Sequence, residues 1–140
     1  MIPLTVRCPF CSADLMDSSN LLDGYPSIRM HLKVGRQEGD LRLSCLYGSF
    51  RYSTRVKVSD GDETELFCPH CRRSLLTDVA CEICKAPMVK LRLIVDGDVY
   101  FCSRKGCKNH KVELRDLEAG LAEFYGYITG EEPTKQTLGT

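Results

Sequence analysis

A chain of 140 residues is one ordinary domain or two very small ones, and its 19 Lys/Arg offset its 19 Asp/Glu to a formal net charge of zero. That balance removes any global pull toward nucleic acid or anionic lipid, and no stretch is long and apolar enough for a signal peptide or a bilayer span. With nine cysteines, no Trp and apolar residues scattered in short runs, the chain is not expected to build one large core unaided, and metal sites are a common remedy.

A first strand, Ile2 to Val6, runs into a knuckle at Cys8-Pro9-Phe10-Cys11. Residues 12–27 carry Ser, Asn, Asp-Gly and Pro breakers and read as loop. Alternation then begins: Ile28, Met30, Leu32 and Val34 share one face, and Arg29, His31 and Lys33 share the other. After a turn it resumes with Leu41, Leu43, Cys45 and Tyr47, which predicts an antiparallel hairpin with one buried face. A third strand is expected from Phe50 through Val58, and Glu65-Leu66-Phe67 leads as a strand into a second knuckle, Cys68-Pro69-His70-Cys71. Residues 72–80 read as a linker to Cys81 and Cys84, the third close pair. An alternating strand from Met88 to Val95, an Asp96-Gly97 turn and a short strand from Val99 to Phe101 bring the chain to Cys102 and Cys107. One more strand is expected just after Cys107. Leu114, Leu117, Leu121, Phe124, Tyr125 and Ile128 recur at helical spacing and predict an amphipathic helix over about 115–127.

The cysteines decide the reading. Eight of the nine fall into closely spaced pairs, and thiols at i and i+3 in a tight turn can point at one ion. A hairpin returns a second pair to the same place, giving the four thiolates that structural zinc takes. The predicted quartets are Cys8, Cys11, Cys68 and Cys71 as a first site, and Cys81, Cys84, Cys102 and Cys107 as a second. The other wiring joins Cys68/Cys71 to Cys81/Cys84 and leaves Cys8/Cys11 to meet Cys102/Cys107. An odd total and the pair spacing argue against a closed disulfide framework, and so for a reduced, cytoplasmic setting.

The expected fold is small, β-rich and metal-bound, with two zinc-ribbon-like four-cysteine sites, an inserted antiparallel sheet and a C-terminal helix. Its implied organisation is a ribbon with an inserted sheet over 1–75, a compact ribbon over 76–113, the helix over 114–129 and a disordered tail over 130–140. Each half runs knuckle, strands, knuckle.

Two zinc ions are the expected cofactors, with iron the alternative at either site, as in rubredoxin-like electron carriers. Rubredoxin-type knuckles usually carry Gly after the second Cys, whereas Ser12, Arg72 and Lys85 stand there in this chain. Four thiolates leave no open coordination position, so a catalytic metal is not expected, and no other catalytic constellation is visible. His70 and His110 lie beside knuckles that already have their cysteines, and His31 falls on a polar strand face. Cys45 falls on an apolar strand face and reads as a small buried residue.

Residues 81–115 carry an excess of Lys and Arg, and 116–140 an excess of Asp and Glu. Arg92, Arg104, Lys105, Lys108 and Lys111, with Tyr100 and Phe101 among them, form a candidate single-stranded nucleic-acid face through phosphate neutralisation and base stacking. The leading expectation is a non-enzymatic interaction module docking on a protein partner. The nucleic-acid reading comes second, and no membrane or small-molecule substrate is implied.

The segment 81–107 resembles the zinc ribbons at the C-terminus of bacterial type IA DNA topoisomerases. The shared features are C-x-x-C followed by Ala86-Pro87-Met88-Val89, a strand, Phe101-Cys102-Ser103 and a final Cys107-Lys108. Lys85 replaces the usual Gly, the last pair is one residue closer, and nothing resembles that family's catalytic domain or its tyrosine. The resemblance implies a ribbon fold and single-stranded DNA as the ligand of this face.

Overall fold

The computed structural model describes residues 2–114, which form twelve β-strands. They are β1 (Ile2–Pro3), β2 (Val6–Arg7), β3 (Met16–Leu22), β4 (Tyr25–Val34), β5 (Gln37–Leu43), β6 (Leu46–Tyr47), β7 (Tyr52–Thr54), β8 (Glu65–Phe67), β9 (Leu76–Ala80), β10 (Pro87–Leu93), β11 (Gly97–Cys102) and β12 (His110–Leu114). No helix occurs among the described residues, so the expected fold class is corrected to all-β. Leu114, expected to open the C-terminal helix, instead closes β12 against Gly97. The remainder of that expected helix and the tail over 130–140 lie outside the described residues.

Two stretches expected to be irregular are strands. Residues 16–22 form β3 because Met16 and Leu22 pair with Ile28 and Tyr25 of β4. The Ser and Asn residues there mark a register shift within the ladder: Asp17 accepts from the Ser19 amide and the Asn20 side chain and is tied to Arg42 of β5 at 3.0 Å. That is a bulge with an Asx-type turn, the other structure such residues favour. Residues 76–80 form β9 on β10, also through a shifted register between Pro87 and Val89.

Ten of the strands make two five-stranded antiparallel sheets of the same design, and β1 pairs with β6 as a separate two-stranded ladder. The first has the order β3-β4-β5-β7, with β8 beside β4 beyond the end of β3. The second has the order β9-β10-β11-β12, with β2 beside β10 beyond the end of β9. Thus β2, which leads into the first Cys-Pro-x-Cys knuckle, completes the second sheet, and β8, which leads into the second such knuckle, completes the first.

The segments around the two knuckles also correspond. Cys8-Pro9-Phe10-Cys11 followed by Leu15-Met16 matches Cys68-Pro69-His70-Cys71 followed by Leu75-Leu76. The Leu15 amide donates to Val6 and the Leu75 amide to Leu66; the Arg29 amide donates to Leu15 and the Lys90 amide to Leu75. The chain is therefore a tandem pair of one unit with exchanged first strands. Its repeat is strand, Cys-Pro-x-Cys knuckle, then four strands, rather than knuckle, strands, knuckle.

Alternation sends Ile28, Met30, Leu32 and Leu41 of one sheet and Val89, Leu91, Leu93 and Val99 of the other into a single shared core. Val6, Leu15, Leu66 and Leu75 fill it beneath the knuckles, each at most 2% exposed. Each fully buried aliphatic side chain in this core contributes roughly 1.5–3 kcal/mol.

Candidate metal centres

Each C-x-x-C knuckle is built the same way. The Cys8 amide donates to Ala13 at 3.0 Å, and the Ser12 amide returns to the Cys8 carbonyl at 3.0 Å. The same two bonds recur at Cys68 with Arg73 and Arg72, and at Cys81 with Ala86 and Lys85. Closing so tight a turn drives the residue after the second cysteine into the left-handed region: Ser12 at φ 62°, Arg72 at 65° and Lys85 at 70°. The turn aims amides at the first sulfur, so Phe10 and Cys11 donate to Cys8 Sγ, and Ile83 and Cys84 donate to Cys81 Sγ.

The eight paired cysteines gather as Cys8, Cys11, Cys68, Cys71 and as Cys81, Cys84, Cys102, Cys107, with the sulfurs of each group all within 4.8 Å of one another. The crossed wiring is excluded. All nine cysteines are free thiols. Cys8 and Cys71, Cys11 and Cys68, and Cys81 and Cys107 each stand 3.7 Å apart, with Cys84 and Cys102 at 3.3 Å. A tetrahedron with metal–sulfur bonds of ~2.3 Å has sulfur–sulfur edges of ~3.8 Å, so the spacing fits a four-thiolate ion. It is far beyond the ~2.05 Å of a disulfide.

The two centres differ in what they join. The first takes one knuckle from each repeat, so its contacts are reciprocal, Cys8 to Cys71 and Cys11 to Cys68. The second lies wholly within the second repeat, between the β9–β10 connection and the end of β11.

Burial pushes Cys8 up, Cys68 up to about 12 and Cys102 up, while the Ala13 amide brings the exposed Cys11 down to about 7. At Cys81 burial works upward, but the Cys84 amide, the Asn109 side chain and the Ile83 amide outweigh it and bring the thiol down to about 6. A divalent ion offsets the cost of burying thiolates, and the amide donors share their charge. The sulfur-only donor sets fit zinc or iron, and among the described residues no carboxylate or imidazole joins either quartet.

The histidines have other surroundings. His70 contributes its backbone amide to Cys68 Sγ. His110 packs edge-on against Tyr47 and Phe50, with centroids 4.4 and 5.0 Å away. His31 lies 6.1 Å from the Phe67 ring and 4.0 Å from Glu38. Cys45 is buried at 2% exposure, and burial raises its thiol pKa, as its apolar-face position implied.

The basic residues do not share one face. Arg92, Tyr100 and Lys111 lie on the outward side of the second sheet, where Asp98 and Glu113 are interleaved with them. Arg104, Lys105 and Lys108 belong to the loop between β11 and β12. Arg104 meets Glu63 and Lys105 meets Asp60, each at 2.9 Å, and Lys111 meets Glu113 at 3.3 Å. Acidic partners therefore offset much of the expected cationic face.

That loop rims a feature the sequence did not announce. A cavity of about 220 Å³ lies between the sheets, lined by Leu43, Cys45, Leu66 and Phe101 within and by Tyr47 and Phe50 toward its mouth. Phe50 and Tyr52 are exposed there, with Lys108 and Lys105 over their rings at 5.5 and 4.9 Å. Phe50 and Tyr52 alternate in the sequence as strand residues do, and only the loop from β11 to β12 makes them part of a rim.

No family model, curated protein or solved structure matches this chain. The likeness of 81–107 to topoisomerase ribbons therefore rests on its own residues.

Proposed function

We propose that the protein is a non-catalytic zinc protein of a reducing compartment, working as an interaction module whose gripping surface is the mouth of the inter-sheet cavity. The metal part of the reading is supported by two quartets of sulfur at tetrahedral spacing. Zinc so held is closed, and its chemistry here is to fix backbone. The carrying observation for the interaction part is the exposed pair Phe50 and Tyr52 beside an apolar cavity rimmed by Lys105 and Lys108. Exposed aromatics next to a pocket, bordered by charge, are what an interface anchor needs. The occupant that fits is a protein segment with one large apolar side chain flanked by Asp or Glu.

Metal analysis of purified protein should give a colourless solution with two zinc ions per chain; a red or brown protein containing iron would instead support an electron carrier. Peptide display against the zinc-loaded protein should enrich segments with a bulky apolar residue beside acidic ones. That enrichment should vanish in Phe50→Ala and in Lys108→Glu. No enrichment, or enrichment indifferent to both changes, overturns the reading.

A second reading is favoured by the lysine–aromatic pairs, including Lys111 over Tyr100 at 5.0 Å: a surface for single-stranded nucleic acid. It requires salt-sensitive binding of single-stranded DNA or RNA that is lost when Arg104, Lys105 and Lys108 are changed together to Glu.

A further inference from the structure

The second metal centre has a counterpart in the first repeat, and the counterpart holds no cysteine. Register places it. Leu43 pairs with Ile28 and with Tyr52, as Phe101 pairs with Val89 and with His110. Ser44 then corresponds to Cys102 and Ser49 to Cys107, in loops of equal length.

Hydrogen bonds follow the same correspondence. The Ser44 amide donates to the Arg51 carbonyl at 2.9 Å, and the Cys102 amide to the Asn109 carbonyl at 3.0 Å. The Leu46 amide donates to Ser44 Oγ at 3.3 Å, and the Arg104 amide to Cys102 Sγ at 3.5 Å. The Ser49 amide donates to Leu46, and the Cys107 amide to Arg104. Both loops turn through a left-handed glycine, Gly48 at φ 100° and Gly106 at 91°.

The remaining two ligands also have a matching place. Leu21 pairs with Pro26 as Ala80 pairs with Pro87, so the connection from β3 to β4 corresponds to the one from β9 to β10. In the second repeat that connection is the knuckle over 81–85. In the first it is a tight turn through Asp23 and Gly24, both left-handed, at φ 56° and 80°.

Asp23 reaches to where the knuckle's sulfurs and their ion would lie. Its Oδ2 accepts from Ser44 Oγ at 2.6 Å and Ser49 Oγ at 2.7 Å, and its Oδ1 faces Arg51 Nε at 3.3 Å. In the second repeat Asn109, which corresponds to Arg51, donates to Cys81 Sγ at 3.3 Å. Two hydroxyls on one carboxylate thus stand where two thiolates and a knuckle would share an ion.

We infer that the first repeat carries a converted copy of the second repeat's metal site, in which Asp23 and two serines close the corner without metal, so that the fold contains three metal-site positions of which two retain their cysteines. The corner as it stands is not a metal site: its carboxylate is already taken up by hydroxyls and a guanidinium. The inference rests on the reading of the quartets as metal centres, and the wild-type metal count keeps the two separable.

The test is a graft in the full chain: residues 22–24 replaced by the 81–85 loop, together with Ser44→Cys and Ser49→Cys. Native mass spectrometry of zinc-loaded protein should show one more ion than wild type, and cobalt loading should raise thiolate-to-metal absorption by about half. A folded graft holding only the wild-type number of ions overturns the inference. If the graft does not fold, the reverse exchange decides: residues 81–85 replaced by Leu-Asp-Gly, with Cys102→Ser and Cys107→Ser. That chain should fold with one ion fewer than wild type, and failure to fold overturns the inference. A wild type binding fewer than two ions overturns the metal reading itself, and this inference with it.

Discussion

At Lys85 a side chain occupies a backbone conformation that costs an L-residue about 1–2 kcal/mol relative to glycine, part of which the greater freedom of an unfolded glycine cancels. Lys85→Gly should therefore stabilise the metal-loaded protein by about 0.5–1 kcal/mol in urea denaturation, with zinc content unchanged. The change leaves the Lys85 amide on the Cys81 carbonyl. Asp23 gives a second residue-level expectation. The Ser44 and Ser49 hydroxyls, and then the Arg51 charge, hold its carboxyl below the usual range. A carboxyl lowered on folding stabilises the protein above its unfolded pKa, and the contribution is lost as pH falls through the folded one. Asp23→Asn should lower the urea midpoint by a constant amount from pH 8 to about 5, and the gap should narrow only in stronger acid. Cysteine spacing made the quartets legible because a C-x-x-C turn confines its own sulfurs. Asp23 was illegible because its hydroxyl partners lie in another loop and no spacing rule connects them.

Among the elements, Leu15 and Leu75 are the clearest pair. Each follows a Cys-Pro-x-Cys knuckle, bonds through its amide to an exchanged first strand, and is at most 2% exposed. Leu15→Ala and Leu75→Ala should each cost about 2–5 kcal/mol, and the two losses should be similar because the surroundings repeat. Chemical denaturation of the zinc-loaded variants measures both. The hairpin was legible from Ile28 to Leu43 because apolar and polar residues alternate cleanly over long strands, but its expected continuation to Tyr47 was not, since Leu46 and Tyr47 pair with Pro3 and Ile2 instead. β3 was not, since Asp17, Ser19 and Asn20 hydrogen-bond among themselves and look like a loop from sequence alone. Residues 72–80 misled for a related reason: Thr77 and Asp78 are polar because β9 lies at the edge of its sheet. The helical spacing beginning at Leu114 failed at its first residue, where pairing with Gly97 claims the backbone.

For the whole molecule, the two candidate metal centres are unequal. The first ties the repeats together through one knuckle from each, whereas the second fixes a corner of one repeat. Structural zinc contributes roughly 10–16 kcal/mol of apparent binding free energy, so losing the first ion should unfold both sheets together. Cys71→Ser should abolish cooperative unfolding. Cys107→Ser should leave a cooperative transition, with faster hydrogen exchange confined to 81–87 and 100–110. Exchange followed by mass spectrometry separates the two outcomes. The exchange of β2 and β8 was beyond sequence reading, since strands of two and three residues carry too little pattern to name their partners.

That reciprocal exchange also bears on how the chain is made. Val6 waits for Leu93, and the first sheet waits for Leu66, so the amino-terminal half leaves the ribosome with an open ladder. Contacts spanning so much of the sequence slow folding, because loop closure is completed late. A nascent chain stalled before Leu93 should expose its apolar strands to chaperones, and release of the remaining residues should be the step that ends their capture.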